Sequence, residues 1–182
     1  MNDNPKEIDE KVAKKKNLSE KQKTIRALRR LVVKLIILGA MVTALLIFVG
    51  GIHVSHDNNM FPAINDGDLS ITYKLGGYYN GDIVVYEAEG KKRFGRVVGI
   101  PGDVIDIAEE GRYTVNGVTP YETIYFQTRP AEVSKITYPY QVKEGEVFIL
   151  NDLRENTNDS RVYGGIAELK GKVVLLIRRR GF

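Results

Sequence analysis

The chain has 182 residues, 43% hydrophobic and 27% charged, with 27 Lys+Arg against 23 Asp+Glu and a net charge of +4. That is one domain, or one domain with an appendage, and it is too apolar for a disordered chain. With no Cys and only two His (His53 and His56), disulfide scaffolds, thiol nucleophiles, Cys-containing zinc sites and His-rich metal centres are excluded, and no cofactor is implied.

Charge and apolarity are segregated along the chain. Residues 1–34 hold eleven Lys/Arg and five Asp/Glu, a balance of +6, and the remainder carries −2. From Leu35 to Ile52 there is no charge, and Leu31-Val32-Val33 extends the run past Lys34. As a helix, residues 31–52 would reach roughly 33 Å, enough for a hydrocarbon core of about 30 Å, with Lys34 snorkelling to the headgroups. A core helix would show a polar face, and a cleaved signal peptide would end in an Ala-x-Ala-like site; Gly50-Gly51-Ile52-His53-Val54-Ser55 is neither. The reading is a basic cytoplasmic tail over 1–30, a single-pass anchor over 31–52 in contact with membrane lipid, and an extracellular domain over 53–182. The basic flank, with Lys14-Lys15-Lys16 and Arg29-Arg30, stays inside by the positive-inside rule, so its charge needs no nucleic acid to explain it.

Beyond residue 53 short apolar runs alternate with turn residues. Strands are expected at 69–74, 82–87, 92–100, 104–107, 113–115, 146–150 and 172–177. Between them stand Gly76-Gly77, Asn80-Gly81, Pro101-Gly102-Asp103, Asn116-Gly117 and Lys143-Glu144-Gly145. Residues 104–107 and 113–115 read as a hairpin, 121–140 as a long connection or flap, and no helix is expected in this domain. The fold class is all-β, mainly antiparallel, with one N-terminal transmembrane helix.

Three clusters carry the chemistry: Asn59-Met60-Phe61-Pro62, then Arg96-Val97-Val98-Gly99-Ile100-Pro101-Gly102-Asp103, then residues 151–161, which include Asp152, Arg154, Thr157, Asp159, Ser160 and Arg161. Their order behind an N-terminal anchor resembles the bacterial type I signal peptidases over about residues 30–180. The resemblance implies a β domain with a groove for extended peptides and a Ser–Lys dyad, in which an apolar site holds the Lys amine neutral as the base. At the position of the nucleophile this chain has Asn59, at the base Gly95, at the hydroxyl that steadies the base Thr157, and at the leading Gly of the last cluster Asn151. The chain has five Ser (19, 55, 70, 134 and 160), and in extended chain Ser55 sits roughly 13 Å from Asn59.

On that basis the expectation is a non-enzyme, an inactive signal-peptidase-like pilus accessory protein of Gram-positive bacteria. It would hold a pilin or a sortase through Asn59, Met60, Phe61, Pro62, Gly95 and Thr157 by strand addition. Arg96, Pro101, Gly102, Asp103, Asp159, Ser160 and Arg161 would be architectural, and Arg178-Arg179-Arg180 with Phe182 would be a solvated end. The alternatives are an active signal peptidase with unorthodox residues and a decoy that withholds preproteins from an active paralogue.

Overall fold

In a computed structural model the chain is described over residues 5–124 and 126–179, without the side chains of residues 5–20 and Leu46. Arg180, Phe182 and the side chains of Lys14, Lys15, Lys16 and Ser19 lie outside the described residues. The chain divides into two compact units, 1–45 and 46–182.

Helix α1 runs from Pro5 to Phe48. Its first half is rich in Lys and Glu, both strong helix formers, and Pro5 opens it where no amide donor is required. Along its second half Leu35, Ile36, Ile37, Leu38, Met41, Leu45, Ile47 and Phe48 are all exposed. Over the described residues alone, with Leu46 left out, no helix is long and apolar enough to cross a membrane. The expected crossing is therefore not shown by the structure. Its last residues differ from the expectation as well, since Gly50-Gly51 ends the helical stretch and residues 50–54 are extended.

The second unit is built on two antiparallel sheets, as the sequence pattern leads one to expect. Its strands are β1 (Gly50–Val54), β2 (Leu69–Tyr73), β3 (Ile83–Ala88), β4 (Lys91–Gly99), β5 (Val104–Ile107), β6 (Tyr113–Val115), β7 (Tyr140–Gln141) and β8 (Phe148–Leu150). The short helix α2 (Ser160–Tyr163) follows, and then β9 (Leu169–Ile177). The larger sheet has the order β1-β2-β9-β3-β4-β8 and the smaller β6-β5-β7. The hairpin read at 104–107 and 113–115 is present, with Ile105 opposite Val115. A second hairpin, β3–β4, turns at Glu89-Gly90, where both residues have positive φ (51° and 71°) as a two-residue primed turn requires. Strand β1, the two-residue β7 and helix α2 were not expected. α2 is one turn long, started by Asp159, whose carboxylate accepts from the Arg161 amide.

The core lies in three apolar clusters. Val84, Tyr86, Val97 and Ile149 centre the first, Ile105, Phe148 and Leu150 the second, and Met60, Ile64, Val85 and Phe94 the third. At the β1–β2–β9 end the usual polarity is reversed. The register sets Ile52 opposite Ile71, Val54 opposite Leu69, Leu69 opposite Ile177 and Ile71 opposite Leu175, so these six side chains share one face. Ile52, Val54, Leu175 and Ile177 on that face are exposed, whereas Ser70 and Thr72 on the other are fully buried. The two hydroxyls donate to the carbonyls of His53 and Gly51, which is how a polar layer can be tolerated there.

His53 lies on the buried side, and burial first, then Lys92 and Lys74, lowers its pKa below the ordinary 6.5. The unfolded chain therefore takes up this proton more readily than the fold. The associated stability is present above about pH 6.5 and is lost as the pH falls below it. The urea midpoint is expected to fall between pH 7.5 and pH 5 by more in the wild type than in His53→Gln; an equal fall in both would exclude His53 as the cause.

Candidate functional site

The last sequence cluster folds around two arginines with no solvent exposure, Arg154 and Arg161. Arg161 grips Asp159 with two bonds, Nε to Oδ1 at 3.0 Å and Nη2 to Oδ2 at 2.8 Å. Its other donors reach the carbonyls of Arg154 (2.8 Å), Asn156 (2.7 Å) and Arg129 (3.1 Å). Arg154 is held by both oxygens of Glu122 and by the Thr128 hydroxyl, and its guanidinium stands 5.2 Å from the centre of the Tyr113 ring. Both residues thus tie the irregular 120–135 segment to the 151–161 loop. Asp159 also accepts from the Asn151 amide, and the Ser160 hydroxyl accepts from the Ile149 amide, which joins the loop to β8.

The middle cluster is joined to the last by Arg96, whose Nε and Nη2 donate to the two oxygens of fully buried Asp152 at 2.8 and 2.6 Å. Those bonds are the main reason its pKa stands above the ordinary value. Pro101-Gly102-Asp103 is a turn. Gly102 has φ 92°, and Asp103 accepts from the Ile100 amide through one oxygen and from Asn116 Nδ2 through the other, fastening the start of β5.

Asn59 stands at the meeting point of the first and last clusters and is 8% exposed. Its amide donates to Asp57 Oδ1, its carbonyl accepts from the Leu153 amide, and its Oδ1 accepts from Asn156 Nδ2 at 2.5 Å. Met60 is buried in the third cluster, while Phe61 and Pro62 are exposed. A cavity of about 350 Å³ is lined by Pro62, Ala63, Arg96, Asp152 and Phe126 among others, so the exposed end of the first cluster borders the Arg96–Asp152 pair.

Gly95 is buried in β4, opposite Val84 of β3. A Cβ there would come within 2.3 Å of Ile149 Cγ2 and 3.1 Å of Tyr86 Cε1. The space beside position 95 is therefore filled by two neighbours. Tyr86 is fully buried, its hydroxyl directed at the Asn158 carbonyl at 3.4 Å, and burial first, then Asp159, raises its pKa far above the ordinary phenol. It remains a neutral donor. Thr157 lies apart from Asn59's side-chain contacts. It lines a cleft beneath residues 126–133, and Asn156 beside it is the residue that meets Asn59.

Asn156, Tyr86 and Ile149 were not among the residues singled out in the sequence. Tyr86 and Ile149 look like ordinary strand residues, and only their approach to a glycine marks them. Asn156 adjoins a matched position, but its importance lies in a contact across 97 residues.

β4 also has a free edge. Strand β8 pairs with it at Arg96, Val97 and Gly99, and β3 pairs with Lys91–Arg96 on the other side. Among the described residues no strand pairs with Lys91–Gly95 on the β8 side. An unpaired run of this kind beside a cluster of buried amides is a place where an extended chain can add by backbone hydrogen bonds.

The family described as "Signal peptidase, peptidase S26" matches residues 28–177, and the chain belongs to that family. It is similar to signal peptidase I of Bacillus licheniformis, 31% identical over 152 residues, 76% of this chain and 81% of the relative. It is also similar to signal peptidase IB of Staphylococcus aureus, 32% identical over 136 residues, 63% of this chain and 71% of the relative. A solved signal peptidase I of Enterococcus faecalis is 23% identical, covering 54% of this chain and 98% of its own, with a TM-score of 0.46. These findings overturn the expectation of a non-enzyme drawn from Asn59 and Gly95, because the family and the named relatives are peptidases.

Two predictions follow from the packing. Arg161→Met leaves Asp159 charged and unpaired in the interior, and is expected to cost about 3–5 kcal/mol in urea unfolding. A loss below about 1 kcal/mol would show that the pair does not hold the loop. Gly95→Lys drives its stem into Ile149 and is expected to destabilise by about 1–3 kcal/mol. Adding Ile149→Ala opens that space, so the double variant should be more stable than the sum of the two single losses predicts. Simple additivity would mean that the two positions do not compete for volume.

Proposed function

We propose that this chain works on exported preproteins as a signal-peptidase-type protein, receiving an extended segment along the free Lys91–Gly95 edge of β4 beside Asn59–Pro62. The family membership carries this reading, and the unpaired edge supplies a backbone ladder for a peptide. A cut made by this chain does not use a serine at 59 or a lysine at 95, since those positions hold Asn and Gly.

A membrane location is part of the proposal. The tail over 1–30 is cytoplasmic, the part of α1 from Leu31 onward is the anchor, and the β unit lies outside. Its support is the uncharged run Leu35–Ile52, the exposed apolar side chains of α1 and the basic flank. A narrower form takes a pilin precursor, with its sortase, as the exported partner. Its support is the pair of replaced positions, 59 and 95, which sets the chain apart from the pattern it otherwise follows.

The test is to incubate the full chain in detergent with a precursor carrying an Ala-x-Ala signal sequence, then follow capture and cleavage together. The expected outcome is retention of the precursor, competed by free signal peptide, with any product ending at the Ala-x-Ala site. A chain that neither retains nor cuts the precursor overturns the proposal. Pilin or sortase recovered with the full chain from its own cells supports the narrower form, and a broad set of precursors without either removes it.

A further inference from the structure

The amide of Asn59 has a fixed direction, and a one-way series of hydrogen bonds fixes it. The backbone amide of Asn158 can only donate, and it donates to Asn156 Oδ1 at 3.0 Å. Asn156 must therefore turn Nδ2, a donor, the other way, where it meets Asn59 at 2.5 Å. Asn59 must answer with its acceptor, Oδ1. Asn156 itself cannot drift, because its carbonyl accepts from Asn151 Nδ2 and from Arg161 Nη2.

Every other polar group of Asn59 is engaged, the backbone amide with Asp57 and the carbonyl with Leu153. What remains is Nδ2, whose two hydrogens have no acceptor among the described residues, on a residue only 8% exposed. Nδ2 is not sealed from solvent, so a donor whose direction is already set by its neighbours stands where an incoming acceptor can reach it. Asp57, which accepts from the Asn59 amide, places negative charge beside it, so an anionic acceptor is disfavoured and a neutral carbonyl fits.

We propose that Asn59 Nδ2 is a hydrogen-bond hook for a backbone carbonyl of the extended chain bound at the free edge of β4, with Asn156 as the residue that positions it. This rests on the groove reading given above, and it adds which atom of the chain meets the peptide and by which polarity.

The test measures binding of a fluorescent Ala-x-Ala peptide to the full chain in detergent, with thermal midpoints recorded alongside. Asn59→Asp keeps the shape and still accepts from Asn156, but has no donor to offer. Asn156→Asp still accepts from the Asn158 amide but presents an acceptor to Asn59, so the Asn59 amide turns over and its oxygen faces the peptide. Each is expected to weaken binding about tenfold, the value of one hydrogen bond of this kind, with thermal midpoints that do not follow the loss. In the wild type the Asn59 side-chain NH₂ resonance should shift on peptide addition, a readout that needs no variant to fold. Wild-type affinity in both variants together with an unmoved Asn59 resonance overturns the hook and leaves the groove reading standing. A wild-type chain that does not bind the peptide overturns both.

Discussion

The arrangement of the site depends on one buried charge, the Arg161 guanidinium. Moving such a group out of water costs several kcal/mol unless its donors are met, and here they are met by Asp159 and by three backbone carbonyls. The carbonyl of Arg129 belongs to the irregular segment, and those of Arg154 and Asn156 to the loop. Satisfying one side chain therefore ties together two stretches of backbone that have little regular structure of their own. Arg154 repeats the device from the opposite side, reaching Glu122 and Thr128.

From that anchor the order passes to position 59 by hydrogen bonds that can run only one way. Arg161 holds the Asn156 backbone, Asn158 sets the polarity of the Asn156 side chain, and Asn156 sets that of Asn59. Position 95 is governed by packing instead. Gly95, Ile149 and Tyr86 share a volume in which a larger residue at one position requires a smaller one at another. The two positions that depart from the resembled dyad are each built into their surroundings, one by amide polarity and the other by side-chain volume.

Much of the β domain was legible because period-2 alternation and turn residues report locally. Strands β2 to β6, β8 and β9 lie within a few residues of their expected places, and Pro101-Gly102-Asp103 forms the turn its residue types imply. Strand β1 was hidden because its Gly50-Gly51-Ile52 continues the apolar run of the helix. Helix α2 is too short to show a helical period, and its only sequence signal is the cap at Asp159. The ties of Arg154 to Glu122 and of Asn156 to Asn59 span 32 and 97 residues and join side chains in loops, where no periodicity exists to read. The roles of Arg96 and Arg161 as loop-locking charges were visible from residue type, but their partners were not.

Alternation also leaves one matter open, because it separates two faces of a strand without saying which is buried. In β1, β2 and β9 the apolar set Ile52, Val54, Leu69, Ile71, Leu175 and Ile177 faces outward, and Ser70 and Thr72 face in. The inner hydroxyls are matched to strand carbonyls, so the reversal leaves no buried hydroxyl unpaired. Its cost falls on the outer face, where water meets aliphatic side chains that would be more stable against lipid or protein. β1 begins two residues after α1 ends, and α1 ends in a run of exposed apolar side chains. The helix and the sheet that follows it thus share one unmet requirement, an apolar surrounding.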